Sequence, residues 1–376
     1  MWCRLAIVCL IAVLITGCTG TNPGQPRIDP KLGVSMFLWY GFEPGTGVSV
    51  GGLGSEHWNS NVLAQTGIYD PVVVTPELGY YASDDPAVIA RQVEWMREVG
   101  IDFVAGNYWG WGDDELDGSV TNLGRAAIDR AHKALFEHLE DMPSGQRIQA
   151  LIQLENFMIP FEQWDAGDPV HVDAVKSQMV WNYIWDEYVT PYPNAYMELD
   201  GKPLVVSGAP HILAPDDQDR FAYKTLWPVL FNESSIHQGT MDWSWIDPAH
   251  DPDVYKADII SPDRFVTITP RHDQYWGWIT GQFGNAIDGA DGPRRRDPFL
   301  IQGLYDENWK LLYEARGQVE IVFLATWNDY HEMSFIEPAK NGPLGSVEPV
   351  DLMEKTKWYW GRFKAGEEFE LYEEKR

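Results

Sequence analysis

Between Val34 and Ala325, short and nearly unbroken apolar runs alternate with stretches of helical period. This alternation constrains the fold more than any other feature of the chain. The runs are Val34 to Trp39, Ile101 to Ala105, Ile148 to Leu154, Leu204 to Ser207, Phe265 to Thr269 and Val319 to Ala325, with a further strand near Ile259. A strand that is apolar on both faces must be covered on both, as in a parallel sheet flanked by helices. Helical patterns fall at Asp85 to Gly100, Asn122 to Asp141, His171 to Tyr188, Asp217 to Leu226, Pro298 to Arg316 and Leu352 to Lys364. Asp85-Pro86 supplies an N-cap and a first helical position, and Gly100 a stop. Asp200-Gly201 reads as a tight turn ahead of Leu204. Seven or eight βα units predict an α/β fold, a single (β/α)8 barrel over residues 32–376. An open doubly wound sheet is the alternative, but no Gly-rich phosphate loop follows any strand.

The first residues carry an address. Arg4 precedes the apolar segment Leu5 to Ile15, which is too short for a spanning helix and reads as the core of an export signal. Ile15-Thr16-Gly17-Cys18 resembles the lipobox of prokaryotic lipoproteins, which predicts a signal peptide over 1–17 and lipid on Cys18. An ordinary secretory signal with a chance cysteine is the alternative. Cys3, Cys9 and Cys18 are the only cysteines, so the exported chain is expected to hold no internal disulfide and no cysteine metal site. Residues 18–31, rich in Thr, Gly, Pro and Asn, suit a flexible tether. The expected location is the outer face of a prokaryotic membrane, held there by the lipid.

Charge narrows the partners. A net charge of −28 opposes binding to nucleic acid or to an anionic membrane surface, and Arg294-Arg295-Arg296 is too short to reverse that. The 18 tryptophans suit a carbohydrate partner, whose C–H faces stack on indole, though barrels also bury aromatics for their own cores. The nine histidines include no His-x-x-x-His or HExxH spacing, so no metal and no cofactor is expected.

Polar and aromatic residues gather where the apolar runs end. The first run leads into Trp39-Tyr40-Gly41, with His57-Trp58 in the loop that follows. The second ends in Asn107-Tyr108-Trp109-Gly110-Trp111, the third in Glu155-Asn156-Phe157, and a later one in Pro270-Arg271-His272-Asp273. The last ends in Trp327-Asn328-Asp329-Tyr330-His331-Glu332, followed by Glu337. The carboxyl ends of barrel strands carry the chemistry, so these five endings predict one cleft.

These motifs resemble family 99 glycoside hydrolases, the endo-α-mannosidases and endo-α-mannanases, and the related WbsX-type proteins. The resemblance lies in Trp39-Tyr40-Gly41 with His57-Trp58, the Trp-rich end of the second strand, and Asn328-Asp329-Tyr330 leading to Ile336-Glu337-Pro338-Ala339. It spans roughly Gly33 to Ala339 and implies a (β/α)8 fold and an oligo- or polysaccharide substrate. Position by position, it places the two catalytic carboxylates on Asp329 and Glu332. It further implies substrate contacts from Trp39, Tyr40, His57, Trp58, Tyr108, Trp109, Glu155, His272, Asp273, Trp327, Asn328 and Glu337. In the family Glu332 would be the general acid/base. Asp329 would take the proton of the sugar 2-hydroxyl, giving an anhydro-sugar intermediate and a retained anomeric configuration after endo cleavage. Glycoside cleavage passes through an oxocarbenium-like state, which is why a proton donor and a second carboxylate are needed. The acid needs a raised pKa to hold its proton, which burial and the neighbouring Asp329 and Glu337 would supply.

The sequence departs from the family pattern in three places. Asp329 is one methylene shorter than the usual glutamate, Tyr330 replaces a tryptophan, and Met333-Ser334-Phe335 replaces Gly-Thr-Gln. Three functions therefore stand: a glycoside hydrolase on an α-linked, mannan-like glycan, another carbohydrate-active enzyme of surface polysaccharide, and a glycan-binding lipoprotein without catalysis.

Overall fold

The computed structural model describes residues 29–43, 45–58, 75–111, 122–154, 174–207, 213–225, 265–268, 298–330, 334–340 and 352–373 of the 376. In chain order the elements are β1 (Lys31–Phe37), β2 (Thr75–Pro76), α1 (Pro86–Val99), β3 (Phe103–Tyr108), α2 (Asn122–Asp141) and β4 (Gln149–Leu154). Next come α3 (Ala174–Ile184), with a π-helical turn at Trp185–Val189, then β5 (Glu198–Leu199), β6 (Lys202–Ser207), β7 (Ala222–Thr225) and β8 (Phe265–Ile268). The series ends with α4 (Pro298–Glu314), β9 (Ile321–Leu324), β10 (Ala339–Lys340) and α5 (Leu352–Ala365).

Seven strands pair in parallel in the order β7-β6-β4-β3-β1-β9-β8. β5 joins β6 through an antiparallel hairpin. Both residues of its turn, Asp200 and Gly201, have positive φ (52° and 78°), as a two-residue hairpin of matching twist requires. The sheet curls so that alternate residues share its concave face. Register aligns Gly33 with Phe103 and with Phe323, and Phe37 with Asn107. The two phenylalanines, on strands either side of β1, meet across Gly33 at 6.2 Å between ring centroids. A Cβ at Gly33 would lie only 2.0 Å from the Phe103 ring, so this position needs glycine for space. Ser35 on the same face donates to Gln153 Oε1 at 2.8 Å. The opposite face, with Leu32, Val34, Met36 and Val104, belongs to the main apolar core beneath the helices. There the Cβ direction of Gly106 points at His132 of α2.

The helices follow their sequence signals. Asp85 caps α1 by accepting from the Ala87 amide at 2.8 Å, with Pro86 in the first turn, and Gly100 closes the helix at φ 88°. The inward face of α1 carries Val88, Ile89, Val93, Met96 and Val99, with one polar intruder, Gln92.

The expected α/β fold is present, and its described strands make a curled half-barrel of seven parallel strands. Among the described residues β7 and β8 have no strand between them, and the strand expected near Ile259 lies outside those residues. The helix expected over Asp217 to Leu226 is a turn followed by strand β7. Asp216 accepts from the Arg220 backbone amide at 2.7 Å and from its guanidinium at 2.8 and 3.0 Å, which folds the charged residues into a turn. Phe221 and Tyr223 then pack their rings on Trp181, and Leu204 to Ser207 of β6 supplies the ladder. The apolar spacing that resembles a helix is here satisfied by one buried tryptophan and a neighbouring strand.

Candidate functional site

The chain leaves β9 at Leu324, passes through a cis peptide between Ala325 and Thr326, and folds into a tight buried loop. Asn328 is the loop's anchor and is fully buried. Its Oδ1 accepts from the Phe37 amide at 2.7 Å, and its Nδ2 donates to the Phe37 carbonyl at 2.9 Å. The side chain thus prolongs the bonding along β1 beyond Val34, the last β1 residue paired with β9, after the Trp327 amide has donated to the Ser35 carbonyl at 2.6 Å. Thr326 Oγ1 accepts from the Asp329 amide at 2.8 Å, and the Asp329 carbonyl accepts from Ser334 N at 3.1 Å. Asp329 itself is 2% exposed, and its charge, after burial, is the next cause holding the Tyr40 hydroxyl well above the ordinary tyrosine range. Tyr40 therefore stays protonated and donates to the Asn328 carbonyl at 2.8 Å.

Beneath this loop lies a small aromatic core of its own, built from Phe37, Tyr40, Trp58, Tyr81, Val88, Tyr330 and Phe335. Tyr40 and Trp58 stack at 4.1 Å, and Trp58 Nε1 donates to the Tyr81 carbonyl at 2.6 Å. Gly41, at φ 82°, lets the chain pass within 2.2 Å (Cβ position to Tyr81 O) of the 81–82 backbone, a separation no side chain would allow.

Glu337 sits in the same floor, 2% exposed. Its Oε2 accepts from the Tyr81 hydroxyl at 2.8 Å and the Tyr330 hydroxyl at 2.9 Å, and its Oε1 from Gln92 Nε2 at 3.1 Å. Burial pushes its carboxyl up to about 7, against three hydrogen bonds that favour the ionised form. A carboxyl raised in the folded state binds more protons there than in the unfolded chain. It therefore stabilises the fold most below its ordinary pKa near 4.5, and that contribution fades as pH rises through 7. At roughly 1.4 kcal/mol per unit the span is on the order of 3 kcal/mol. Urea melts of Glu337→Gln between pH 4.5 and 7.5 are expected to show a flatter fall of stability with pH than the parent. Parallel curves would show that Glu337 does not titrate in this window.

Above the floor, three partly exposed rings line up at the ends of β1 and β3. Trp39 and His57 stack at 4.6 Å and 6°, and Trp109 lies against Trp39 at 5.8 Å. Trp109 Nε1 donates to Asn107 Oδ1, which ties the platform to the concave face of β3. Such a surface offers indole and imidazole faces to an apolar or C–H-rich ligand.

The structure divides the residues predicted for the cleft into groups. Trp39, His57 and Trp109 come together at the surface. Tyr40, Trp58, Trp327, Asn328, Asp329 and Glu337 come together as buried residues below it. Glu337 was expected to touch substrate, and its carboxylate is instead enclosed by Tyr81, Tyr330 and Gln92. Tyr108 is elsewhere. It is one residue out of phase with Asn107, so it faces the helices, where its hydroxyl donates to Asp129 Oδ1 at 2.7 Å beside those of Tyr188 and Tyr183. Glu155, His272, Asp273, Glu332 and Cys18 lie outside the described residues. Tyr81, Gln92 and Tyr330 were not anticipated as part of the site. Gln92 had a legible signal, as a lone amide on the apolar face of α1.

A cavity of about 440 Å³ beside β6 and β7, lined among others by Trp181, Lys202, Phe221 and Lys224, contains none of the predicted cleft residues. Among the described residues no group of three or more His, Cys, Asp or Glu side chains could hold a metal ion.

No protein-family model matches the sequence, and no curated protein matches it. Solved structures do match. A GH99 endo-α-mannosidase from Bacteroides thetaiotaomicron, in complex with BIS-TRIS-Propane, superposes with a TM-score of 0.57 at 16% identity, over 90% of this chain and 98% of that one. A second structure of that enzyme gives 0.58 at 16% identity, over 90% and 99%. A glycoside hydrolase-like protein gives 0.54 at 13% identity, over 90% and 97%. This chain has the fold of the GH99-like structures along nearly its whole length.

Proposed function

We propose that this protein is a glycoside hydrolase cleaving an α-linked, mannan-like glycan by the chemistry of the GH99-like enzymes whose fold it shares. The observation carrying this reading is Asp329. It lies just beyond the carboxyl end of β9, in a loop hydrogen-bonded to Phe37 of β1 and closed on itself through Thr326, in a fold shared with an endo-α-mannosidase. Asp329 acts as the base toward the sugar 2-hydroxyl. Glu332, three residues further on, protonates the leaving oxygen and later activates water. Retention and endo action belong to this proposal, as does closure of the half-barrel into a (β/α)8 ring. The Trp39, His57 and Trp109 rings would receive the sugar face. The test is a screen of the purified protein against α-mannans and related α-linked glycans, with the product anomer read by NMR. Oligosaccharides of retained configuration are expected. Binding without cleavage across the whole panel would replace the reading with that of a glycan-binding protein.

We further propose that Cys18 is lipidated after removal of residues 1–17, which would place the enzyme on an outer membrane face. Cys18→Ser is then expected to move the protein from the membrane fraction to the soluble one on cell fractionation. Unchanged partitioning would reject the anchor.

A further inference from the structure

We infer that Glu337 is a positioning residue for Asp329, acting through Tyr81, Tyr330 and Gln92 to fix the loop that carries the proposed base. The inference rests on the reading of Asp329 as that base. The loop residues on either side of Asp329 are tied to the same carboxylate. On the amino side, Asn328 Nδ2 donates to the Tyr81 hydroxyl at 3.2 Å, and Tyr81 donates onward to Glu337 Oε2. On the carboxyl side, the Tyr330 hydroxyl donates to that same oxygen. The two phenols therefore converge on one atom from opposite sides of Asp329. Burial holds both well above the ordinary tyrosine range, with the Glu337 charge the next cause in each, so both remain donors.

The other carboxylate oxygen is occupied by Gln92, a residue of α1 and so of a different layer of the fold. Three separate segments, 81, 92 and 330, thus meet at Glu337, and the loop cannot shift relative to α1 without breaking one of these bonds. The titratable groups facing this cluster are Tyr40, Tyr81 and Tyr330, together with Asp329 itself through its interaction with Tyr40. Glu337 has both oxygens engaged by Tyr81, Tyr330 and Gln92, so it has no free edge for a sugar. Its effect on turnover must pass through the loop.

Amide hydrogen exchange and steady-state kinetics on Glu337→Leu, which removes the acceptor of both phenols, and on the double variant Tyr81→Phe/Tyr330→Phe together test this. Loss of a hydrogen bond on each side of Asp329 is expected to speed exchange of the Asp329 and Tyr330 amides about tenfold, while β4 amides are unchanged. On a glycan the parent cleaves, kcat is expected to fall about 10- to 100-fold with KM little moved, since a small misplacement of a reacting group has that effect. The double variant, which keeps Glu337, should reproduce the Leu variant. Unchanged exchange at Asp329 and Tyr330 overturns the inference, and so does a loss confined to KM, which would mean direct substrate contact. If the parent cleaves no glycan, the hydrolase reading falls while the exchange result still decides whether Glu337 holds the loop.

Discussion

Glu332→Gln is expected to lower kcat on an unactivated α-linked glycan by about 10²- to 10⁴-fold, the usual size of a lost general acid. Binding should be nearly intact, because an amide keeps the shape of the carboxyl while losing the proton it must deliver. The loss should shrink sharply on a substrate whose leaving group departs without protonation, such as an aryl glycoside with an acidic phenol. The comparison of the two substrates carries the test, because a variant that had merely misfolded would lose both alike. A Glu332→Gln protein with parental activity on the unactivated glycan removes Glu332 from the reaction.

Asp329→Asn is expected to cost a similar factor, about 10²- to 10⁴-fold, and to show no such rescue. Its proposed task is to take a proton from the sugar ring, a need that does not depend on the leaving group. The substitution is nearly isosteric, and two bonds that fix the loop at this residue use its backbone: the amide donates to Thr326 Oγ1 and the carbonyl accepts from Ser334 N. Folding should therefore survive, and circular dichroism with a thermal melt checks that. Leaving-group rescue in Asp329→Asn but not in Glu332→Gln would reverse the two roles.

Much of the sheet was legible because its strands are apolar on both faces. β4, β8 and β9 fall within runs visible in the sequence, β1, β3 and β6 overlap theirs, and the Asp85-Pro86 cap and Gly100 stop mark α1. β7 was not legible, because its four residues follow a charged turn whose geometry depends on Asp216 and Arg220 finding each other. The gathering of Trp39 and Trp109 was legible from strand ends, and that of His57 from the loop that follows the first of them. The division of labour beneath them was not. Whether a carboxylate meets solvent or is roofed by tyrosines depends on segments 81, 92 and 330 meeting in space, and no local pattern records that. Tyr108 shows the complementary error. The period-two alternation of β3, counted from Phe103, already assigns it to the helix side, but its place between Asn107 and Trp109 suggested the cleft.

The clasp of Asn328 on Phe37 has a practical consequence for anyone wishing to retarget the protein. Because one side-chain amide spans both a donor and an acceptor of β1, the height of Asp329 above the sheet is measured from the strand rather than from the surrounding loops. Residues that touch neither this clasp nor the Glu337 cluster can then be exchanged to accept other sugars without recalibrating the reactive position, as long as residue 328 stays an asparagine. Aspartate there would forfeit the donor, and glutamine would overshoot the span by a methylene. That single amide separates the part of the molecule open to redesign from the part that must be inherited whole.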